Sequence, residues 1–573
     1  MDRFDTAAGG QTRVPDDWMP TTGLRVLIQQ DPCLVWLKFW GKKHQFDQDP
    51  ADYSFLNWIG EQGRQFEAAW VKNVAPEAVQ ALTEDKEVRH VDGLKRTLDL
   101  MKRRVPVITK AALWWAPEKI YGSADVICLS SWLYQTFPHL KPENDEPDAY
   151  CVIDCKFSTG LADSGKKIDL AVNTAQVRLY SFMLGKMQGQ MPRFAYLTTR
   201  DHIHDPLRVA VDHKLNDPLD PALASLRDCY NHIKRHGHKY LPWRDECVAP
   251  SVTNKKDEPW HLAKKELISR MPSTPLEKLP QVGRQQTVGL REFGFECVED
   301  LLSEQGLIFP FEVLSGIGER AAERIRAVLR ANKTGKATGL SEAALPPPCD
   351  VELFVDYEFF SNARADFKND WPKLTGCPII FMIGVYFQRR GQWHFRRFVA
   401  RHEHPDAERE MFGEFLTWLH ERGVFNVAQS AALYHWSPAE ITQSNAAAER
   451  QGLERLRDLP WVDVRKVFAD VPIGIPGAWA YGLKEIVKAV GEYAPEYWSP
   501  WPDELSSGLG AMVMGWEAYD QDDPLGTKEM ATLTSYLEAD VRGLCQVMEF
   551  LRAESGRTTF ASNRTGRGWY AMA

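Results

Sequence analysis

The stretch Cys151-Val-Ile-Asp-Cys-Lys-Phe157 decides the fold class of the first half of the chain. It is a short apolar run between polar stretches, which is typical of a buried strand. Side chains alternate across a strand, so Asp154 and Lys156 lie on the same face. Charges are costly to bury without partners, and a bound divalent cation is one reason to place an acid and a base here. The stretch therefore predicts an α/β domain and indicates a metal site.

Four more polar residues flank this strand. Upstream, residues 119–128 predict a second strand, and an earlier helix carries a glutamate. Downstream, residues 172–186 predict an amphipathic helix, in which a glutamine and a tyrosine share a face because they are four residues apart. The four residues are Glu67, Asp125, Gln176 and Tyr180.

Taken in order, these pieces resemble the PD-(D/E)XK nucleases of the RecB type. The matching pieces are Gly122…Asp125, Asp154-Cys-Lys156 and Gln176-x-x-x-Tyr180, with stretches 22–24, 33–36 and 63–67 similar to the N-terminal part of that family. The resemblance implies that Asp125 and Asp154 hold Mg²⁺ or Mn²⁺ and that Glu67 is an additional ligand. It also implies that Lys156 orients or deprotonates the attacking water. Gln176 and Tyr180 would frame the site and contact the nucleic acid.

Two other interpretations belong to this segment. Asp154 and Lys156 would form a surface-exposed pair if they lay at a strand end. Some RecB relatives hold an iron–sulfur cluster on four cysteines, and Cys33 stands near the first position, but Cys229 and Cys247 form no C-terminal triplet. We therefore expect no iron–sulfur cluster.

The middle segment, residues 264–336, is predicted as short helices punctuated by glycine. Residues 276–283 and 314–318 each resemble a helix-hairpin-helix element, in which glycine lets backbone N–H groups approach a phosphate. A basic strip follows the second element, and such elements bind nucleic acid without reading its sequence. The alternative is a helical spacer whose glycines only cap helices. The residues of the strip are Arg320, Arg324, Arg326, Arg330 and Lys333, with Lys336 beyond them.

The third segment opens with Val351-Glu-Leu-Phe-Val-Asp-Tyr-Glu-Phe-Phe360, which is a strand by its Val, Phe and Tyr content. Asp356 and Glu358 are two residues apart on one face. Residues 378–387 and 392–400 predict two further strands, and residues 404–422 predict a helix. A later helix ends near residue 551 and shows Tyr536 and Asp540 on one face, because they are four residues apart.

The order of these elements along the chain, from the strand with Asp356 and Glu358 to the late helix with Tyr536 and Asp540, resembles that of the RNase H-like DEDD 3′–5′ exonucleases of the Tyr subtype. The resemblance implies that Asp356, Glu358 and Asp540 ligate two Mg²⁺ ions and that Tyr536 positions the water. Glu440, in Tyr434-His-Trp-Ser-Pro-Ala-Glu440, is chosen as the fourth acid, although the usual exonuclease has Asp there. Asp463 is the competing candidate. The other interpretation is that Asp356 and Glu358 form the charged solvent face of an edge strand.

The whole chain, from about residue 20 to 553, resembles a bacterial and phage family with three modules. The expected domains are a RecB-like nuclease at 20–258, a helix-hairpin-helix connector at 264–336, a linker at 337–349, an RNase H-like exonuclease domain at 350–553 and a flexible tail at 554–573. The fold class is thus α/β and multidomain. A near P-loop at 160–167 has Lys167 where Mg²⁺ needs a hydroxyl, so an NTP-driven enzyme is set aside.

Composition places further bounds on function. The 573 residues carry 69 Lys and Arg against 78 Asp and Glu, a net charge of −9, which disfavours coating of nucleic acid by bulk charge. With no apolar segment long enough for a signal or a membrane span, and with irregularly spaced cysteines, we expect a cytoplasmic protein without a membrane partner.

The expected function is a metal-dependent nuclease with DNA, as single strands or ends, as the favoured substrate and RNA as the alternative. A separate helicase or another repair or defence protein is an expected partner. The alternative is a nucleic-acid-binding clamp in which one site, more readily the C-terminal one, is degenerate.

Overall fold

The computed structural model describes residues 3–23, 32–47, 55–143, 147–157, 170–200, 202–211, 227–239, 241, 260–340, 345–361, 364–366, 373–374, 378–498 and 508–556. Over these residues the chain is an α/β protein with two mixed sheets and a helical segment between them. The near P-loop at 160–167, the polar stretch at 248–258 and the tail beyond residue 556 lie outside the described residues. No helix in the described part is long and apolar enough to cross a membrane.

The first sheet has seven strands in the order β2-β3-β4-β5-β6-β7, and β1 lies alongside β4. Strands β3, β4 and β5 form an antiparallel meander, and β6 is parallel to β5. The strands are β1 (Met19–Pro20), β2 (Val79–Gln80), β3 (Val107–Trp115), β4 (Ile120–Leu129), β5 (Tyr150–Lys156), β6 (Phe194–Thr199) and β7 (Leu207–Ala210). The predicted strands at 119–128 and 151–157 are therefore confirmed.

Helices cover both faces of this sheet. Helix α3 places Phe66 and Trp70 against one face, beside Ile153, and helix α6 places Val177 and Met183 against the other. The helices of this unit are α1 (Arg3–Ala8), α2 (Pro32–Trp40), α3 (Phe55–Val74), α4 (Val91–Lys102), α5 (Ser130–Thr136), α6 (Leu170–Gln188) and α7 (His261–Ser269). Because β5 is paired on both edges and covered on both faces, it is buried, as its apolar sequence predicts.

The first unit extends beyond its predicted limits of 20 and 258. Ala7 and Trp18 lie in its core, where Trp18 meets Trp114 edge to face at 5.6 Å between ring centroids. At the other end, Ala263 and Leu267 of α7 lie in the same core. Apolar side chains on both flanks bury themselves against the sheet, so α7 belongs to this unit rather than to the connector.

The connector consists of two similar turns, each followed by a helix. A short 3₁₀ helix, Leu276–Lys278 or Phe311–Val313, precedes each turn. The helices are α8 (Arg284–Glu292), α9 (Val298–Leu301), α10 (Glu304–Leu307) and α11 (Glu319–Thr334). The predicted short helices punctuated by glycine are confirmed.

Each turn needs one residue in the left-handed region. Gln281 takes this conformation with φ 61° in the first turn, and Gly316 takes it with φ 78° in the second. Gly283 and Gly318 then cap α8 and α11. The two turns are tied together because Gln286 Nε2 donates to the carbonyl oxygen of Ser315 at 2.7 Å.

The second sheet has five strands in the order β12-β11-β8-β13-β14. Strands β12, β11 and β8 are antiparallel, whereas β13 and β14 run parallel to β8. The strands are β8 (Val351–Phe359), β11 (Ile380–Arg389), β12 (Gln392–Val399), β13 (Ala431–His435) and β14 (Trp461–Asp463), and a separate ribbon pairs β9 (Ala365–Asp366) with β10 (Lys373–Leu374). The predicted meander is confirmed.

Six helices pack on this sheet. They are α12 (Pro405–Glu421), α13 (Ala439–Gln451), α14 (Val464–Asp470), α15 (Leu483–Tyr493), α16 (Gly508–Tyr519) and α17 (Lys528–Glu554). The longest, α17, lies across β8 and β11. Gly384 of β11 allows this close approach, because a Cβ there would lie 2.5 Å from Cγ of Leu537.

The described residues of the predicted linker at 337–349 pack on the second unit. Thr338 and Gly474 exchange two backbone hydrogen bonds, of 2.9 and 3.1 Å. Leu345 is buried in a cluster with residues of the sheet and α17. Backbone pairing and apolar burial thus attach this stretch to the domain that follows it.

A buried ion pair anchors the end of α17. Both guanidinium NH groups of Arg552 donate to the carboxylate of Glu352, at 2.7 and 3.0 Å, and the two side chains are 1% and 3% exposed. Tyr434 completes the group, since its hydroxyl donates to Glu352 at 2.8 Å.

Removing Arg552 should strongly destabilise the protein. We expect Arg552→Met to lower the free energy of unfolding by about 3–5 kcal/mol, because it leaves a buried carboxylate unpaired. Urea unfolding followed by circular dichroism measures the change. Arg457→Met is the control, since the Arg457–Glu454 pair is exposed and should contribute less than about 1 kcal/mol. Equal effects of the two substitutions would contradict the anchoring role.

Candidate active sites

The antiparallel pairing of β4 with β5 brings Asp125 and Asp154 together, near the pair Val126–Ile153. Asp125 Oδ2 accepts the backbone N–H of Cys155 at 2.9 Å. Asp154 is 1% exposed, and Lys156 Nζ lies 2.7 Å from its Oδ2. The structure thus brings these three side chains into one cluster, in which Asp154 is buried and Asp125 and Lys156 are half-buried.

Glu67 reaches the same cluster from α3, but its partner is a residue that the sequence reading missed. Lys110 Nζ lies 2.8 Å from Glu67 Oε1. Lys110 has φ 51°, in the left-handed region, although it lies inside β3. The sequence signal for Lys110 is that it is the single charged residue in the apolar run of β3. Nothing in that run indicates that its partner is Glu67.

Gln176 and Tyr180 lie one helical turn apart on α6, and both are buried. Gln176 Nε2 donates to the hydroxyl of Tyr180 at 2.9 Å, and Thr21 Oγ1 donates to the same oxygen at 3.3 Å. Burial and the nearby Asp154 and Asp125 carboxylates raise the pKa of Tyr180 to about 12. These residues frame the site, as predicted, but they lie in the interior rather than on a surface open to nucleic acid.

Burial dominates the electrostatics of this N-terminal site. It raises the pKa of Asp154 to about 7, with Lys156 acting against the shift and Asp125 adding to it. Burial and Asp125 likewise raise the pKa of Glu67, and Lys110 opposes them. Burial acts to lower the pKa of Lys156, but the Asp154 and Asp125 carboxylates outweigh it and the pKa is raised. The cluster thus holds three acids and two ammonium groups.

A second acidic cluster lies where α17 crosses β8. Asp356, Glu358 and Asp540 each offer one carboxylate oxygen, and these atoms lie within 4.8 Å of one another. Among the described residues, this is the one group of three acids, histidines or cysteines with that spacing. Glu358 and Asp540 are buried and Asp356 is half-buried. The predicted pairing of strand and helix acids is therefore present in the structure.

Glu440 adds a fourth carboxylate to this cluster. It lies in the first turn of α13 and is 6% exposed, and its Oε2 accepts from Nδ1 of the buried His435 at 3.0 Å. Glu440 lies close enough to Asp356 for its carboxylate to raise the pKa of Asp356. Asp463, the competing candidate, caps α14 instead, since its Oδ1 accepts the backbone N–H of Lys466 at 3.2 Å.

Tyr536 lies one turn before Asp540 on α17 and is 4% exposed. Lys484 of α15, which the sequence reading missed, donates from Nζ to the hydroxyl of Tyr536 at 3.1 Å. No spacing in the sequence links the two residues, which are 52 positions apart. Only the packing of α15 against α17 brings them together.

Burial and then like charges shift the electrostatics of this C-terminal site. Burial, followed by the Asp540 carboxylate, raises the pKa of Glu358, and Lys484 acts against that shift. Loss of solvent and the neighbouring Asp540 and Glu440 carboxylates raise the pKa of Asp356. Burial and Asp540 raise the pKa of Tyr536, so its hydroxyl keeps its proton. A set of carboxylate oxygens that repel one another suits a hard divalent cation such as Mg²⁺ or Mn²⁺.

The predicted basic strip on α11 divides into two faces. At 3.6 residues per turn, Arg320 and Arg324 share one face, whereas Arg326, Arg330 and Lys333 share another. Arg326 is held within the connector, because it donates to both oxygens of Glu312 at 2.7 Å. Arg320, Arg330 and Lys333 are exposed. The residues of the predicted strip therefore lie on two faces of the helix, because they were grouped by sequence and not by helical angle.

No protein-family model matches the chain, and no curated protein is significantly similar to it. The geometry of the two clusters therefore carries the argument about function.

Neutralising Asp356 should stabilise the metal-free protein. We expect Asp356→Asn to raise the free energy of unfolding in chelator at pH 8 by about 1–2 kcal/mol, because it relieves repulsion among four carboxylates. Mg²⁺ or Mn²⁺ should then stabilise this variant less than the unmodified protein. Thermal unfolding with and without metal measures both effects. Glu421→Gln, at an exposed acid outside the cluster, should change neither.

Removing the ammonium of Lys110 should have the opposite effect at the N-terminal site. We expect Lys110→Met to lower the free energy of unfolding of the metal-free protein by about 1–3 kcal/mol, because Glu67 loses its partner. Chemical denaturation measures this change. Lys95→Met is the matched control, since Lys95 lies 3.9 Å from Asp92 on an exposed surface. Unchanged stability of the Lys110 variant would show that the ion pair is not needed to hold Glu67.

Proposed function

We propose that the protein is a metal-dependent nuclease that hydrolyses phosphodiester bonds of DNA and has two active sites. The observation that carries this proposal is the cluster of Asp356, Glu358 and Asp540, with ligand atoms within 4.8 Å of one another. Nucleases with two metal ions use such carboxylates to hold cations about 4 Å apart. Bound there, Mg²⁺ or Mn²⁺ would activate water and neutralise charge on the phosphate.

The residues around this cluster fit that chemistry. The donor set consists of carboxylate oxygens, which Mg²⁺ and Mn²⁺ prefer. Glu440 extends the set to four acids and is held by His435. Tyr536 keeps its hydroxyl proton next to Asp540, so it can donate a hydrogen bond to a water molecule. We assign to it the role of positioning that water.

The sheet orders support the finer assignment of the folds. In the first unit, an antiparallel meander of β3, β4 and β5 is followed by a helical crossover to the parallel β6. This order agrees with a PD-(D/E)XK domain. In the second unit, three antiparallel strands are extended by two parallel ones, and a long helix crosses the central strand. This order agrees with an RNase H-like domain.

At the N-terminal site, we assign metal binding to Asp125 and Asp154, with Glu67 as an additional ligand. Lys156 is held 2.7 Å from Asp154, close enough to orient a water molecule or to stabilise charge on a phosphate. Lys110 is the new member of this site, and a metal ion at Glu67 would compete with its ammonium.

The connector supports nucleic acid as the substrate. Each of its two turns presents a glycine at the start of a helix, where backbone N–H groups without helical partners can bind a phosphate. Arg320, Arg330 and Lys333 add exposed positive charge. None of these groups reads a base, so we propose binding without sequence specificity, with DNA favoured over RNA.

A second candidate function is a nucleic-acid clamp in which one of the two sites is silent. The N-terminal site fits the silent role better than the C-terminal one, because its carboxylates are paired with Lys110 and Lys156. The sequence reading favoured the opposite assignment, on the ground that Glu440 replaces the usual aspartate. The proximity of Glu440 to His435 and Asp356 argues against that reason, because it places the Glu440 carboxylate within the acidic cluster.

A cleavage assay tests the proposal. Labelled single- and double-stranded DNA and RNA are incubated with Mg²⁺, Mn²⁺ or chelator. We expect metal-dependent cleavage of DNA, and we expect Asp356→Asn or Asp154→Asn to lower the rate at the affected site by at least about 100-fold. Glu421→Gln is the control for nonspecific effects.

The outcomes separate the two candidate functions. Cleavage that survives the Asp154→Asn and Asp356→Asn double substitution would rule out both assigned sites. Cleavage that depends on Asp356 alone would identify the N-terminal site as silent on those substrates. Tight binding of DNA without cleavage by the unmodified protein would support the clamp.

A further inference from the structure

We infer that Lys484 is a positioning residue of the C-terminal site, which sets the direction in which Tyr536 donates its hydroxyl proton. This inference rests on the function proposed for that site. Lys484 Nζ lies 3.1 Å from the hydroxyl oxygen of Tyr536 and 4.3 Å from the centroid of its ring. The two contacts place the ammonium beside the phenol at its polar end.

The direction follows from the donors and acceptors of the two groups. An ammonium group has three donors and no acceptor, so the Tyr536 oxygen must accept from Lys484. The single proton of the hydroxyl therefore points away from Lys484. The remaining polar neighbours are the carboxylates of the cluster, and Tyr536 is hydrogen-bonded to Asp540. Lys484 thus directs the single donor of Tyr536 towards the carboxylate cluster, where it is given either to Asp540 or to a water molecule held there, and not to both at once.

The charge of Lys484 supports the same role. The cluster contains the carboxylates of Asp356, Glu358, Glu440 and Asp540, and His435 faces it from β13. A positive charge beside Tyr536 also disfavours any arrangement in which the hydroxyl proton turns towards Lys484.

The start of α15 holds Lys484 in this place. Gly482 caps the helix, and the carboxylate of Glu485 accepts the backbone N–H groups of Trp479 and Ala480 at 2.9 Å each. Ile486 and Val487, which follow in the same helix, are buried. Lys484 therefore projects from a fixed helix start rather than from a free loop.

The same helix offers a matched control. Lys488 lies one turn after Lys484, but its side chain is 70% exposed and lies 3.8 Å from Glu492. Its ion-pair partner, Glu492, belongs to neither assigned site. Substitution of Lys488 removes the same charge from the same helix without removing the contact with Tyr536.

A double-mutant cycle tests the inference. The full-length protein is assayed on DNA with Mn²⁺ in the Asp154→Asn background, so that only the C-terminal site contributes. We expect Lys484→Ala to lower kcat by about 10–100-fold with little change in KM, and Lys484→Arg to recover part of the loss. In the Tyr536→Phe background, Lys484→Ala should change kcat less than about twofold, because the hydroxyl it orients is gone. Lys488→Ala should leave the rate unchanged.

Other outcomes would overturn the inference. If the two single effects multiply in the double variant, Lys484 does not act through Tyr536. If Lys484→Ala raises KM with kcat unchanged, Lys484 contacts the substrate instead.

A measurement that does not need activity separates this inference from the proposed function. If the unmodified protein shows no cleavage that depends on Asp356, the proposed function fails. The contact itself is then read from 3-fluorotyrosine placed at position 536, by fluorine NMR. Lys484→Ala should shift this resonance and Lys488→Ala should not. An unshifted resonance in the Lys484 variant would overturn the inference.

Discussion

The packing of the last helix, α17, on the central strands of the second sheet is the contact on which the C-terminal half depends. Three residues of this helix form the contact. Leu537 fills the space left by Gly384, Arg552 pairs with Glu352, and Asp540 lies beside the acids of β8. The first two contacts stabilise the approach. They hold Asp540 beside like charges that repel it, so the site exists because apolar burial and an ion pair outweigh local repulsion.

The two candidate sites solve the problem of buried acids in different ways. At the N-terminal site, each of two carboxylates has a lysine partner, Lys156 for Asp154 and Lys110 for Glu67. At the C-terminal site, four acids lie near the ammonium of Lys484. That ammonium donates to the hydroxyl of Tyr536 and acts on the carboxylate of Glu358. The C-terminal site thus gathers four carboxylates, whereas the N-terminal site combines three acids with two ammonium groups. That difference is the physical reason to assign the stronger demand for cations to the C-terminal site.

Local pattern predicted much of the fold, and the family resemblance supplied most of the candidate residues. The buried strand at 151–157, the meander after residue 378 and the helix that carries Tyr536 and Asp540 follow from apolar periodicity, which each segment contains within itself. Errors arose where partners are distant in sequence. Residues before 20 and after 258 joined the first core, and the basic residues of α11 separated onto two faces, with Arg326 held by Glu312.

The sequence by itself determined that the stretches at 151–157 and 351–360 are strands, and which acids face the same way within one segment, such as Asp356 and Glu358. Side-chain direction inside a strand or helix depends on backbone geometry that repeats every few residues. Only the tertiary structure decided that Lys110 meets Glu67 and that Lys484 meets Tyr536. Each of these contacts joins segments far apart in the chain, and their approach depends on how whole helices and sheets pack, which no local spacing encodes.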